Sequence, residues 1–176
     1  MVLNLDDKDK IIISMYSADP NVSQESIAKV LRLSQPSVAS RVGKLRERGA
    51  LELNAGVSPL KMGLYLAKVD LSSTAPSKIL DRFVDCPYFA NGFSVSGRHN
   101  LCLFFFSESV TTLESIVNGH IRSDPSVQDV DFDIVISSQK DFTIPVKLKP
   151  ERCSKPPCGI NLNCTDCPSF KGRKCM

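Results

Sequence analysis

The apolar residues of this chain repeat at two different periods, and the change near residue 60 limits what it can fold into. Up to Leu45 they recur every three or four positions, as in helices that bury one stripe. From Leu64 onward, stretches that alternate residue by residue, as strands do, are interleaved with further helical stretches. With 176 residues, 42% of them hydrophobic, there is enough apolar material for one domain or two small ones.

The first part predicts three helices. Asp6 or Asp7 caps a helix whose positions Ile11, Ile12, Met15 and Tyr16 face inward, and Ala18-Asp19-Pro20-Asn21 ends it. Ser23 starts a short second helix with Ile27, Ala28, Val30 and Leu31 inward, and Leu33-Ser34 breaks it. Ser34 caps a third helix with Pro36 in its first turn, where a missing N–H costs little. Val38, Val42 and Leu45 form its buried stripe, and Gly49 stops it.

Ser34, Gln35, Ser37, Ser40, Arg41 and Lys44 lie off that stripe, and residues 29–48 hold six basic side chains against one acid. Hydroxyl and amide groups reach base edges, while Arg and Lys attract phosphates. A solvated amphipathic helix would carry charges too, but three helices with a short turn between the last two predict a helix-turn-helix contacting double-stranded DNA. On this reading Arg41→Ala weakens DNA binding and lowers its salt dependence.

In the second part Leu64 to Leu71 predicts a strand, and Pro76 opens a helix with Ile79, Leu80, Phe83 and Val84 on one face. Phe89–Ser96 and Leu101–Phe106 predict two strands joined by the turn Gly97-Arg98-His99-Asn100. Thr111 or Thr112 begins a helix with Leu113, Ile116, Val117 and Ile121 inward. Val130, Phe132, Ile134 and Ile136 then alternate with Asp129, Asp131, Asp133 and Val135. The order is the βαββαβ of ferredoxin-like domains. Cys102, in step with Phe104 and Phe106, is expected in the core, Cys86 at a helix end, and His120 in packing rather than catalysis.

Leu5-Asp-Asp-Lys-Asp, Ser23-Gln-Glu-Ser-Ile-Ala, Leu33-Ser34 before Arg41-Val42 and Leu45, Gly49-Ala-Leu, Gly63 and the Gly97 turn occur in one order. Through them, residues 5–140 resemble the leucine-responsive regulatory protein/AsnC (Lrp/AsnC) family of prokaryotic regulators. The resemblance implies a DNA-binding domain tethered to a sensing domain whose sheets pair into homodimers that often assemble further. It also implies a small effector at the turn between the second and third strands, here Gly97, Arg98, His99 and Asn100. The family commonly has aspartate three residues after the glycine. Asn100 keeps the hydrogen-bonding shape without the charge, and Arg98 and His99 would suit an anionic ligand. A surface hairpin without ligand is the alternative.

The fold class expected is therefore α+β: a helix-turn-helix domain at 1–53, a linker at 54–63, a ferredoxin-like domain at 64–145 and a cysteine-rich tail at 146–176. Charge divides similarly. Residues 1–53 carry eight basic and seven acidic side chains, 54–146 seven and ten, and 147–176 seven and two. Five of seven cysteines, Cys153, Cys158, Cys164, Cys167 and Cys175, fall in the tail, which has too few apolar residues for its own core. Four thiolates among lysines and arginines suit either a 4Fe–4S cluster or Zn²⁺, and disulfide redox sensing is a third possibility. Cys164-Thr-Asp-Cys167 is the one C-x-x-C pair, and Cys167-Pro168 matches the end of ferredoxin-type runs. Such a tail would sense redox or metal state and change affinity for DNA.

No segment approaches the ~20 apolar residues of a membrane span, and no basic and apolar leader is present, so a cytoplasmic location is expected. The competing class is an enzyme on the same fold, a tetrapyrrole decarboxylase-like protein with Arg98-His99 as its one plausible pair. No phosphate-binding glycine loop, carboxylate pair or nucleophile motif appears.

Overall fold

The computed structural model of the chain describes residues 4–54 and 56–145, in two compact units divided between Ala55 and Gly56. All five tail cysteines lie outside the described residues.

The first unit is helical: α1 (Asp7–Ala18), α2 (Gln24–Leu31) and α3 (Gln35–Glu47). Asp6 caps α1 by accepting the Asp9 N–H at 2.8 Å, and the Asp9 carboxylate accepts the Asp6 N–H in return, a reciprocal capping box. Ser23 caps α2 by accepting the Ser26 N–H at 3.0 Å. Arg32, at φ 51°, takes the left-handed conformation that turns the chain from α2 into α3. Ser34 stands at the N-cap of α3, but its hydroxyl bonds the Ser37 hydroxyl at 2.8 Å instead of a backbone N–H. Gly49, at φ 68°, ends the helix region in a conformation that costs a side-chain-bearing residue energy.

Ile12, Tyr16, Ile27, Leu31, Val38, Val42, Leu45 and Leu51 meet in the core of this unit. Ile11 and Val30, expected inward, are 40% and 60% exposed. Each sits one residue from the centre of its helix stripe, and a step of about 100° carries it out of the core.

The second unit contains β1 (Tyr65–Ser73), α4 (Pro76–Phe83), β2 (Phe89–Ser94), β3 (Leu101–Ser107), α5 (Val110–Ile116) and β4 (Val127–Ile134). The strands form one antiparallel sheet in the order β2-β3-β1-β4, the expected ferredoxin-like arrangement. Register places Ala67 opposite Phe105, Val69 opposite Leu103 and Leu71 opposite Leu101, all buried on one face. On that face Ile79 and Phe83 of α4 pack with Leu113 and Ile116 of α5. Phe83 meets Phe105 edge to face, with ring centroids 5.0 Å apart.

Several details depart from expectation. Val84 and Ile136 lie just past α4 and β4 and are 68% and 89% exposed, because the elements that would turn them inward have ended. Cys102 is half-buried on the face opposite the helices, the alternate side from Leu101 and Leu103. Ser109, not a threonine, stands at the N-cap of α5, which widens into π-helical turns over Val117–Arg122. Within 54–63, Val57 bridges to Ile144, and Val57, Leu60 and Leu64 pack with Leu66, Phe106 and Ile144 in a second small cluster.

Candidate nucleic-acid interface and sensing turn

The buried stripe of α3 leaves Ser34, Gln35, Ser37, Ser40 and Lys44 exposed on the rest of the helix. A shallow groove of about 500 Å³ runs along it, lined by Asp9, Pro36, Ser37, Ser40, Arg41, Lys44, Leu45 and Arg48. Hydroxyls, which serve as donor and acceptor, alternate there with cations, a mixture suited to base edges flanked by phosphates. Arg48 belongs to this surface although the sequence reading left it out; its place one turn after Lys44 was the available signal.

Arg41 is different from its neighbours. Its Nη1 donates to Asp6 Oδ2 and to Asp9 Oδ1, both at 2.7 Å, and its side chain is 32% exposed. The backbone N–H of Asp9, then the Arg41 guanidinium, lowers the Asp6 carboxyl below its ordinary range. The hydrogen bonds to Asp6 and Asp9 in turn raise the Arg41 guanidinium. The cation that looked most available to DNA already has two carboxylate partners.

In the second unit Gly97, at φ 146°, takes a backbone conformation that favours glycine, and the turn that follows is held down at several points. Asn100 Nδ2 donates to the Ser73 carbonyl at 2.7 Å, and its Oδ1 accepts the Ser73 N–H at 2.9 Å. The amide therefore clamps β1. A carboxylate at this position can accept but not donate, so the departure from aspartate has a structural reason. Arg98 Nη2 donates to Asp129 Oδ2 at 2.7 Å, and His99 Nε2 lies 3.4 Å from Asp129 and 3.7 Å from Asp131.

Arg98 thus has an acidic partner, where the sequence suggested a pair awaiting an anion. The hydrogen bond from Arg98 chiefly lowers the Asp129 carboxyl. Ligand atoms of His99, Asp129 and Asp131 lie within 4.8 Å of one another, so these side chains are the described group able to surround a cation. The aspartates were visible in sequence as an alternating run, but their approach to the turn depends on sheet order.

Beside them, burial would raise the Asp70 carboxyl, but hydrogen bonds from Lys68 and Cys102 outweigh it and lower the group. Burial, then the hydrogen bond to Asp70, pushes the Cys102 thiol up to about 11, which disfavours a thiolate. His120 is buried on the π-helical turn, where burial and then the Arg82 charge lower its pKa.

A three-helix unit with an open polar third helix, in one chain with a βαββαβ unit, defines a helix-turn-helix regulator. Residues 5–52 match the family model described as winged helix-turn-helix DNA-binding. The chain is 26% identical over 121 residues to the HTH-type transcriptional regulator LrpA of Pyrococcus abyssi, covering 66% of this chain and 86% of that one. The solved leucine response regulatory protein (LrpA) of Mycobacterium tuberculosis superposes with a TM-score of 0.66 at 26% identity, over 78% of this chain and 96% of that one. A Neisseria meningitidis transcriptional regulator solved in complex with L-Met has the same fold, with a TM-score of 0.68 at 20% identity, over 82% of this chain and 97% of that one. The chain is a DNA-binding transcription regulator, similar over most of its length to regulators of the Lrp/AsnC type. The tetrapyrrole decarboxylase reading is not favoured, since the relatives are regulators rather than enzymes. Among the described residues no helix is long and apolar enough to cross a membrane.

Proposed function

We propose that the protein is a sequence-specific, homodimeric or larger regulator that lays α3 in the major groove of a pseudo-palindromic site. In this reading Ser34, Gln35, Ser37 and Ser40 read bases while Lys44 and Arg48 contact phosphates. The observation that carries it is the exposed row of hydroxyls and cations along the α3 groove. A small effector binds at the Gly97–Asn100 turn and alters the affinity for DNA; the L-Met complex of a protein with this fold supports a ligand of that size. The tail cysteines Cys153, Cys158, Cys164, Cys167 and Cys175 hold a 4Fe–4S cluster or Zn²⁺, or act as redox thiols, and add a second input. A cytoplasmic location fits this role.

The test is selection of duplexes from a random pool by the full chain, followed by titration of the selected duplex and a scrambled one. The expected result is a preference of at least about a thousandfold for the selected duplex, which Ser37→Ala or Ser40→Ala narrows. Equal affinity for both duplexes overturns the reading.

A further inference from the structure

The groove along α3 contains one side chain that does not belong on a surface meant only to attract phosphate. Asp9 lines it together with Arg41, Lys44 and Arg48. Its carboxylate points at Arg41, sharing the guanidinium Nη1 with Asp6 at 2.7 Å for each contact. Exposed ion pairs usually hold loosely, but this one is built differently. The capping box of α1 has already fixed both carboxylates, Asp9 is only 18% exposed, and one cation spans two acids more than thirty residues away in sequence.

We infer that Asp6 and Asp9 set DNA specificity by withholding Arg41 from phosphate. The inference rests on α3 being the DNA-contacting helix. Arg41 lies one residue after Ser40, four after Ser37 and three before Lys44, on the side of the helix that borders the groove. An unpaired guanidinium there would add an attraction indifferent to sequence, strengthening every complex alike and narrowing the margin between the right site and the wrong one. The two carboxylates neutralise that cation and leave net negative charge beside the groove. Ser37 and Ser40 then contribute a larger share of the discrimination. Arg41 serves as a positioning residue, tying α3 to the first turn of α1.

Two properties of the pairing make it separable by experiment. Asn caps a helix about as well as Asp, so Asp6→Asn leaves α1 capped while removing the charge. Asp9→Asn alone tests the same idea with the Asp6 side-chain cap left in place, since its amide oxygen can still accept the Asp6 N–H of the capping box. The measurement is the salt dependence of binding by the full chain to its selected duplex and to a scrambled duplex of equal length.

In Asp6→Asn/Asp9→Asn, and to a lesser degree in Asp9→Asn, affinity for the scrambled duplex should rise several-fold. The slope of log affinity against log salt should steepen by about 1, the effect of one added phosphate contact. Adding Arg41→Ala to the double variant should reverse both changes, and Arg41→Ala in the native background should leave the slope as it was. The inference is overturned if the acid-to-amide variants keep the native slope and preference. It is also overturned if Arg41→Ala in the native background flattens the slope by about 1, because Arg41 would then reach phosphate in the complex. Lys44→Ala separates the two levels of the argument: if the native protein binds duplex DNA but Lys44→Ala leaves the slope unchanged, α3 is not the DNA-contacting helix, whatever Asp9→Asn does.

Discussion

The two units use charge in opposite ways. In the helical unit Arg41 is tied back by Asp6 and Asp9 while Lys44 and Arg48 remain along the α3 groove with Ser37 and Ser40. In the sheet unit the face away from the helices carries Asp70, Asp129 and Asp131, partly offset by Lys68 and Arg98. One surface favours a polyanion, and the other disfavours it. The difference teaches that a modest net charge of +3 says little about a partner until it is divided by surface.

The largest effect that would sharpen this contrast is on stability. Phe83 is fully buried against Phe105 and Phe89, so Phe83→Ala should destabilise the sheet unit by about 3–5 kcal/mol. Chemical denaturation followed by calorimetry should show that transition move while the helical one stays put. Movement of both would mean that the units do not unfold separately.

Asn100→Asp comes next. It removes the donor to the Ser73 carbonyl and sets a carboxylate against that oxygen, which should cost the same unit about 1–3 kcal/mol. An unchanged denaturation midpoint would show that the clamp on Ser73 does not matter.

A smaller effect concerns pH. His120 is held neutral by burial and by the Arg82 charge, so its folded pKa lies below the unfolded one. The unfolded chain then binds more protons, and the sheet unit keeps its full stability above pH ~6.5 and loses it as pH falls through the interval between the two values. The loss should be absent in His120→Leu. Denaturation midpoints at pH 7.5 and 5.5 check the sign, and a rise in stability on acidification would refute it. The smallest effect is that of Lys44→Ala, which should flatten the salt slope of DNA binding by about 1 without moving either unfolding transition.

Most of the fold could be read from residue spacing. Helical periodicity placed α1, α2 and α3 almost to the residue, because Asp6, Ser23 and Gly49 mark their ends chemically. The alternation in 130–134 placed β4, and the order of elements implied the sheet. Spacing alone could not show that Ile11 and Val30 fall outside the core, since each is apolar and next to a buried residue. Nor could it show the π-helical turns, which leave the same four apolar residues buried as a regular helix would.

The candidate site was less legible. Ser37, Ser40 and Lys44 emerged because they avoid the buried stripe, and Arg41 emerged for the same reason. Its partners lie 32 and 35 residues earlier, and only folding brings them together. The approach of Asp129 and Asp131 to the turn was hidden in the same way by the order of the strands.

Hydrogen exchange of the full chain with and without its selected duplex tests the central claim most directly. The account predicts that added DNA slows exchange across Gln35–Glu47 and in the turn before it, with the β-strands of the sheet unit little changed. Protection confined to residues 65–134, with α3 exchanging as it does in the free protein, would contradict it.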